Sequence, residues 1–182
     1  AIRYAEHGGT DVLTVEHIDR PEPEHNDLVL RVEAAGINPV DTYFREGEYS
    51  PGELPWTPGS DVAGVVEAVG PGVAEFDEGD RAFATGLGNS VQGTCAEYVR
   101  VPVGLAAKLP AGPTFQQAAA LGLVGVTAWQ ALVFHAGLEP AERVLIHSGS
   151  GGVGHVAVQL AAAMGAQVTT TASPVHHESL YT

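Results

Sequence analysis

Arg143-Val144-Leu145-Ile146-His147-Ser148-Gly149-Ser150-Gly151-Gly152-Val153-Gly154 decides the fold. A short apolar run with the length and β-branching of a buried strand stops at a cluster of glycines. The next segment has apolar residues at Val153, Val156, Leu160 and Met164, the spacing of one face of a helix. Gly165 ends that helix, and Gln167 to Thr171 reads as a second, β-branched strand. The result is one βαβ unit with Gly149-x-Gly151-x-x-Gly154 at its first turn. In a dinucleotide fingerprint each glycine answers a physical demand. Gly149 permits the tight turn, Gly151 lets backbone approach a pyrophosphate, and Gly154 lets helix close on strand. The helix start adds free N–H groups and the positive end of a dipole. The competing reading is a flexible glycine-rich loop, and the strand before and helix after it favour dinucleotide binding.

The second strand bears on which dinucleotide. An acidic residue at its end would bond the ribose 2′-hydroxyl of NAD, yet the strand runs into Thr171-Ala172-Ser173 with no acid before Glu178. Ser173 can donate a hydrogen bond to a 2′-phosphate and His177 can carry positive charge beside it, so NADPH is expected over NADH. Alternatively, His176 and His177 are ordinary surface loop residues.

Outward from this unit the chain changes character near residue 110. Before it, Val12–Ile18, Leu28–Ala35, Val62–Val69, Arg81–Ala84 and Glu97–Val101 read as short strands between glycine and proline turns, hence an antiparallel barrel or sandwich. After it, Thr114 and Gln117 form a capping box for a short helix through Leu121, and a second helix is expected over Val126–Ala136, closed by Gly137. The expected domains are 1–110 and 111–182.

Composition excludes several classes. The 182 residues carry 22 Asp+Glu against 8 Lys+Arg, a net charge of −14, and 45% are apolar. So negative a surface repels phosphate backbones and anionic lipid, which argues against nucleic-acid and membrane partners. The most apolar run, Ala118 to Phe134, is interrupted by Gly122, Gly125 and Gln130 and is expected to be too short and broken to span a bilayer. Cys95 is the single cysteine, which leaves neither a disulfide framework nor a multi-cysteine zinc site. With no secretory apolar core in Ala1–Tyr4, a cytoplasmic protein is expected. Lys108 is the only lysine beside seven arginines. Replacing solvated lysine by carboxylates suits high salt, where counterions screen the repulsion; the alternative is an ordinary acidic protein.

Gly36-Ile37-Asn38-Pro39-Val40-Asp41, Thr42-Tyr43, Pro58-Gly59-Ser60-Asp61-Val62-Ala63-Gly64, Gly79-Asp80-Arg81, Ala96-Glu97-Tyr98 and Ser150-Gly151-Gly152-Val153-Gly154 occur in that order. Together they resemble the medium-chain dehydrogenase/reductase superfamily, in particular its zinc-free, zeta-crystallin-like quinone oxidoreductases, from residue 1 to about Ser173. The resemblance implies an α/β protein with a β-barrel: a GroES-like N-terminal catalytic domain, then the start of a Rossmann doubly wound parallel sheet, with NADPH bound between them. Zinc-dependent relatives need a cysteine and a histidine where this chain has Asn38 and Ser60, so no metal is expected. The resemblance further implies that Asn38 and Tyr43 line the nicotinamide and substrate pocket and that Thr127 contacts the nicotinamide ribose or carboxamide. Gly151, Gly152 and Val153 would cradle the pyrophosphate, with Ser173 and His177 on the 2′-phosphate side. Each has a plainer alternative: Asn38 caps a turn, Tyr43 is a packed aromatic, and Thr127 bonds back to a carbonyl.

The implied reaction is transfer of a hydride or electrons from NADPH to a small-molecule quinone. An enone or enoyl-thioester reductase has the same motifs, and a non-catalytic NADPH-binding or structural protein is the alternative of another class. A doubly wound sheet needs about six strands, and two are found here. The chain is therefore expected to be C-terminally incomplete, or completed by a partner, and the full-length protein to form a homodimer.

Overall fold

Valine-rich stretches bounded by glycine and proline turns become the strands of an antiparallel sheet, and the alanine- and leucine-rich remainder becomes helices around a parallel strand pair. The computed structural model describes residues 1–89 and 91–180. They divide into two compact units, Ala1–Leu123 and Val124–Thr182.

In the first unit β1 (Ile2–Arg3) and β2 (Thr14–Val15) form a small antiparallel pair. The main sheet contains β3 (Asp27–Gly36), β4 (Asp61–Val69), β5 (Arg81–Ala84), β6 (Tyr98–Pro102) and β7 (Ala106–Lys108), in the order β6-β3-β4-β5-β7 with every pair antiparallel. Alternate residues Leu28 and Leu30 on β3, Val62 and Val66 on β4, and Val99 and Val101 on β6 meet in one buried core, as the two-residue period of a strand requires. Burying each such side chain contributes roughly 1.5–3 kcal/mol. The β3–β4 ladder shifts register between Val29 and Leu30 and again between Val32 and Ala34, and ends with Gly36 opposite Asp61. On β7, Lys108 pairs with Asp80 at 2.7 Å.

Between β3 and β4 lies α1 (Pro39–Glu46), an element the reading of strand patterns passes over. Its signals are local. Asn38 is the N-cap, Pro39 sits at the first helical position, and the Asp41 carboxylate accepts the Asn38 backbone N–H. Gly47, at φ 84°, closes the helix with its N–H on the Phe44 and Tyr43 carbonyls, a left-handed conformation that favours glycine.

The helix α2 (Phe115–Trp129) begins at the expected capping box: the Thr114 N–H donates to Gln117 Oε1 at 2.9 Å, and the Gln117 N–H donates to Thr114 Oγ1 at 3.2 Å. The two helices expected after residue 110 are in fact one. It passes straight into a π-helical segment, Gln130–His135, where the Ala136 N–H reaches back to the Ala131 carbonyl at 3.0 Å. Phe115–His135 thus forms 21 residues of helix, long and apolar enough, by length and composition, to cross a bilayer, which corrects the expectation that this run is too short and broken. The glycines do not break it, because one costs only about 1 kcal/mol inside a helix. Its buried residues serve two cores: Ala118 and Ala119 pack with Ala63 and Leu109, while Ala128 and Leu132 pack with Leu138, Ala157 and Ala161.

The second unit holds β8 (Arg143–Ile146), α3 (Gly152–Ala163) and β9 (Gln167–Thr170). β8 and β9 are parallel, from Arg143 opposite Gln167 to Ile146 opposite Thr170. This is the expected βαβ unit.

Candidate functional site

The turn from β8 into α3 is shaped by what surrounds its glycines. A Cβ on Gly154 would stand 2.0 Å from the Ser148 carbonyl oxygen, and one on Gly149 would stand 2.1 Å from Thr170 Oγ1. Neither distance is open to a real side chain, so both glycines are required by contacts within the unit. The left-handed residue of the turn is Ser148, at φ 58°, while Gly149 lies outside that region. The end of β9 holds the turn from the other side: the Ser148 N–H donates to Thr171 Oγ1 at 3.2 Å and the Gly149 N–H to the Thr171 carbonyl at 2.9 Å. Gly151 is the N-cap of α3, with its N–H on the Ser148 carbonyl at 2.9 Å. A Cβ on Gly152, by contrast, meets nothing closer than Val124 Cγ1 at 3.7 Å.

No side chain caps the start of α3. Its first N–H groups have no intrahelical acceptor by the geometry of a helix, and the dipole adds positive potential there. Beside them is a cavity of about 480 Å³, lined by Ile146, His147, Ser148 and Gly151–Gly154 among others. Val153, on this first turn, is partly exposed. Two glycines that admit no side chain, a third open to its surroundings, and an uncapped helix start together fit a pyrophosphate.

Ser173 and His177 follow the C-terminal end of β9, the strand beside β8, so they share the end of the parallel pair on which the glycine turn sits. Ser173 opens a short helical turn, its carbonyl accepting the His176 N–H at 2.9 Å. His177 Nε2 lies 3.1 Å from the Ala172 carbonyl oxygen. Thr127 is exposed on α2, in the same unit.

Asn38 and Tyr43 belong to the first unit, Asn38 as the N-cap of α1 and Tyr43 within it. Tyr43 is 40% exposed and meets Tyr49 edge-on, ring centroids 6.2 Å apart. Asn38 is buried in a polar cluster with Asp41, Ser60 and Asp61, each at most 6% exposed. The Asn38 backbone N–H donates to Asp41 Oδ2 at 2.7 Å, and Ser60 Oγ donates to Asp41 Oδ1 at 2.7 Å. Asn38 Nδ2 donates to Asp61 Oδ2 at 2.8 Å. Burial pushes the Asp41 carboxyl above its ordinary value, against the bonds from Asn38 and Ser60, and the nearby Asp61 charge adds to the rise. The Cys95 thiol is raised as well, first by burial and then by Asp41, so it is a poor nucleophile at neutral pH.

The family resemblance points to Asn38 and Tyr43 but gives no role to Asp41 or Asp61. Both stand in motifs that carry it, at Asn-Pro-Val-Asp and Pro-Gly-Ser-Asp. Their juxtaposition exists only once β4 pairs with β3. All eight histidines are exposed, and among the described residues no three His, Cys, Asp or Glu side chains gather as a metal-binding group.

Residues 24–111 match the alcohol dehydrogenase GroES-like domain. The chain is 45% identical over 174 residues to a quinone oxidoreductase of Lama guanicoe, covering 94% of this chain and 52% of that protein. It thus spans about half the length of the curated relatives it matches. Its fold superposes on an alcohol dehydrogenase superfamily protein from Novosphingobium aromaticivorans with a TM-score of 0.91 at 40% identity, covering 100% of this chain and 56% of that one. The Escherichia coli quinone oxidoreductase, solved in complex with NADPH, matches with a TM-score of 0.88 at 35% identity, covering 99% of this chain and 55% of that one.

Proposed function

We infer that this chain, which stands by sequence and fold with the quinone oxidoreductases of the medium-chain dehydrogenase/reductase superfamily, is part of a cytoplasmic NADPH-dependent enzyme that reduces a quinone without zinc. The observation that carries this reading is the β8–α3 turn. Two of its glycines exclude any side chain, and an uncapped helix start follows them, in a chain 45% identical to a quinone oxidoreductase.

Bound NADPH supplies a hydride from its reduced nicotinamide ring. The chain's own residues hold and orient. The first N–H groups of α3 and the bare backbone of Gly151, Gly152 and Val153 take the pyrophosphate. Ser173 donates to the 2′-phosphate, and His177, when protonated, adds a positive charge. Thr127 serves the nicotinamide ribose or carboxamide. On the substrate side, a quinone that accepts hydride builds negative charge on its oxygen and then takes up a proton. Asn38 Nδ2 retains one N–H beyond the one given to Asp61, and Tyr43 carries a half-exposed phenol. These are the donors that stabilise the developing charge. The proton comes from Tyr43 or from solvent. Zinc has no part in this account: Asn38 and Ser60 commit their polar groups to Asp61 and Asp41, and neither is a thiolate or imidazole ligand.

The test is NADPH oxidation by the purified protein in molar KCl, with a benzoquinone and a simple enone as competing acceptors and NADH run alongside. Turnover of the quinone with NADPH is expected. A preference for the enone would assign the protein to the enone reductases. Binding of NADPH without oxidation would replace the enzyme by a binding module.

A further inference from the structure

Asp61 is the first residue of β4 and is 1% exposed. Its two carboxylate oxygens hold two different elements. Oδ2 accepts Asn38 Nδ2 at 2.8 Å, and Oδ1 accepts the backbone N–H of Leu123, within α2, at 2.9 Å. The surrounding backbone leaves room for this group and nothing larger. A Cβ on Gly36 would stand 2.9 Å from Asp61 Cβ, and one on Gly122 would stand 2.5 Å from Oδ1.

Asn38 is in turn held at two points, by its backbone N–H on Asp41 and by its amide nitrogen on Asp61. An ionised carboxylate only accepts hydrogen bonds. If the Asn38 amide turned over, its carbonyl oxygen would face Asp61 Oδ2, acceptor against acceptor. One orientation is therefore enforced, in which one N–H is given to Asp61, the carbonyl oxygen is turned to the first turn of α1 in the capping box, and the second N–H keeps a fixed direction.

We propose that Asp61 is a positioning residue for the reduction assigned above: it fixes the Asn38 amide, so that Asn38 meets the reacting ligand with its second N–H already oriented. This rests on Asn38 serving that reaction. The isosteric change Asp61→Asn removes the device with little change of volume, because an amide has one acceptor oxygen for the two donors, Asn38 Nδ2 and the Leu123 N–H.

The experiment is a double-mutant cycle of D61N and N38A, with kcat for a benzoquinone and Kd for NADPH measured on each protein. D61N is expected to lower kcat about tenfold, the scale of a misplaced reacting group, with Kd for NADPH unchanged and no further loss when added to N38A. Losses that multiply in the double variant would show a general structural effect and overturn the proposal, as would an unchanged kcat in D61N. A separate measurement on the unmodified protein keeps the two readings apart and needs no variant to fold. By 15N NMR the two Asn38 side-chain amide protons should be well separated in shift and slow to exchange. If they exchange like a free carboxamide, Asp61 does not hold Asn38 and the proposal falls. If they are held but the protein never reduces a quinone, the reading of function falls while the hold of Asp61 on Asn38 stands.

Discussion

His177 shows how one atom's hydrogen bond sets a side chain's use. With Nε2 turned to the Ala172 carbonyl at 3.1 Å, a neutral ring donates there and presents a bare nitrogen acceptor at Nδ1. An acceptor repels a phosphate oxygen, whereas the protonated ring offers an N–H. A permanent cation removes that dependence. His177→Arg is expected to lower KM for NADPH about tenfold while leaving KM for NADH unchanged, in keeping with a new charge-assisted hydrogen bond; an equal effect on both cofactors would remove Ser173 and His177 from the 2′-phosphate. At this scale the chain was legible where a residue's chemistry is local. The missing acid after β9 can be read without a structure. Asp61 cannot, because it is one of 22 acidic residues and becomes distinctive only when strand pairing sets it beside Asn38.

The β8–α3 turn separates glycines by the reason each is there. Gly154 faces the Ser148 carbonyl at a distance no Cβ tolerates, and a Cβ on Gly152 would make only an ordinary contact with Val124 Cγ1 at 3.7 Å. Gly154→Ala should therefore destabilise the fold by about 2 kcal/mol or more, since the backbone itself must move. Gly152→Ala should leave the melting temperature unchanged yet weaken NADPH binding about tenfold, if backbone at that position lies against the pyrophosphate. Melting curves and NADPH titrations of the two variants check both statements, and equal losses of stability would refute the distinction. Among elements, the long strands and the βαβ unit were legible from period and punctuation. α1 was not, because its eight residues are too few for a helical period to stand out and its capping signals sit in a segment that also reads as a turn. The joining of two expected helices into α2 has a similar cause. Gly122 reads as a breaker, but its missing side chain is what admits the Asp61 carboxylate, at a point where a Cβ would lie 2.5 Å from Oδ1.

At the scale of the molecule, charge dominates. Eight basic side chains face 22 acidic ones, and the ion pairs seen, such as Arg20–Glu67 at 2.9 Å and Lys108–Asp80 at 2.7 Å, involve partly exposed groups. Such pairs contribute about 0–1 kcal/mol each, too little to offset the mutual repulsion of the remaining carboxylates in dilute buffer. The melting temperature is expected to rise by several degrees between 0.1 M and about 2 M KCl as that repulsion is screened. A value independent of salt would make this an ordinary acidic protein. The scarcity of lysine also has a practical side. Amine-directed reagents find a single side-chain address on the whole chain, at Lys108 on the edge strand β7, half exposed. Asp80 holds that amine above its ordinary value, so it stays protonated and slow to acylate until the solution is made alkaline. A fluorophore or surface tether attached there would be confined to β7, whereas the glycine turn follows β8 and α1 follows β3.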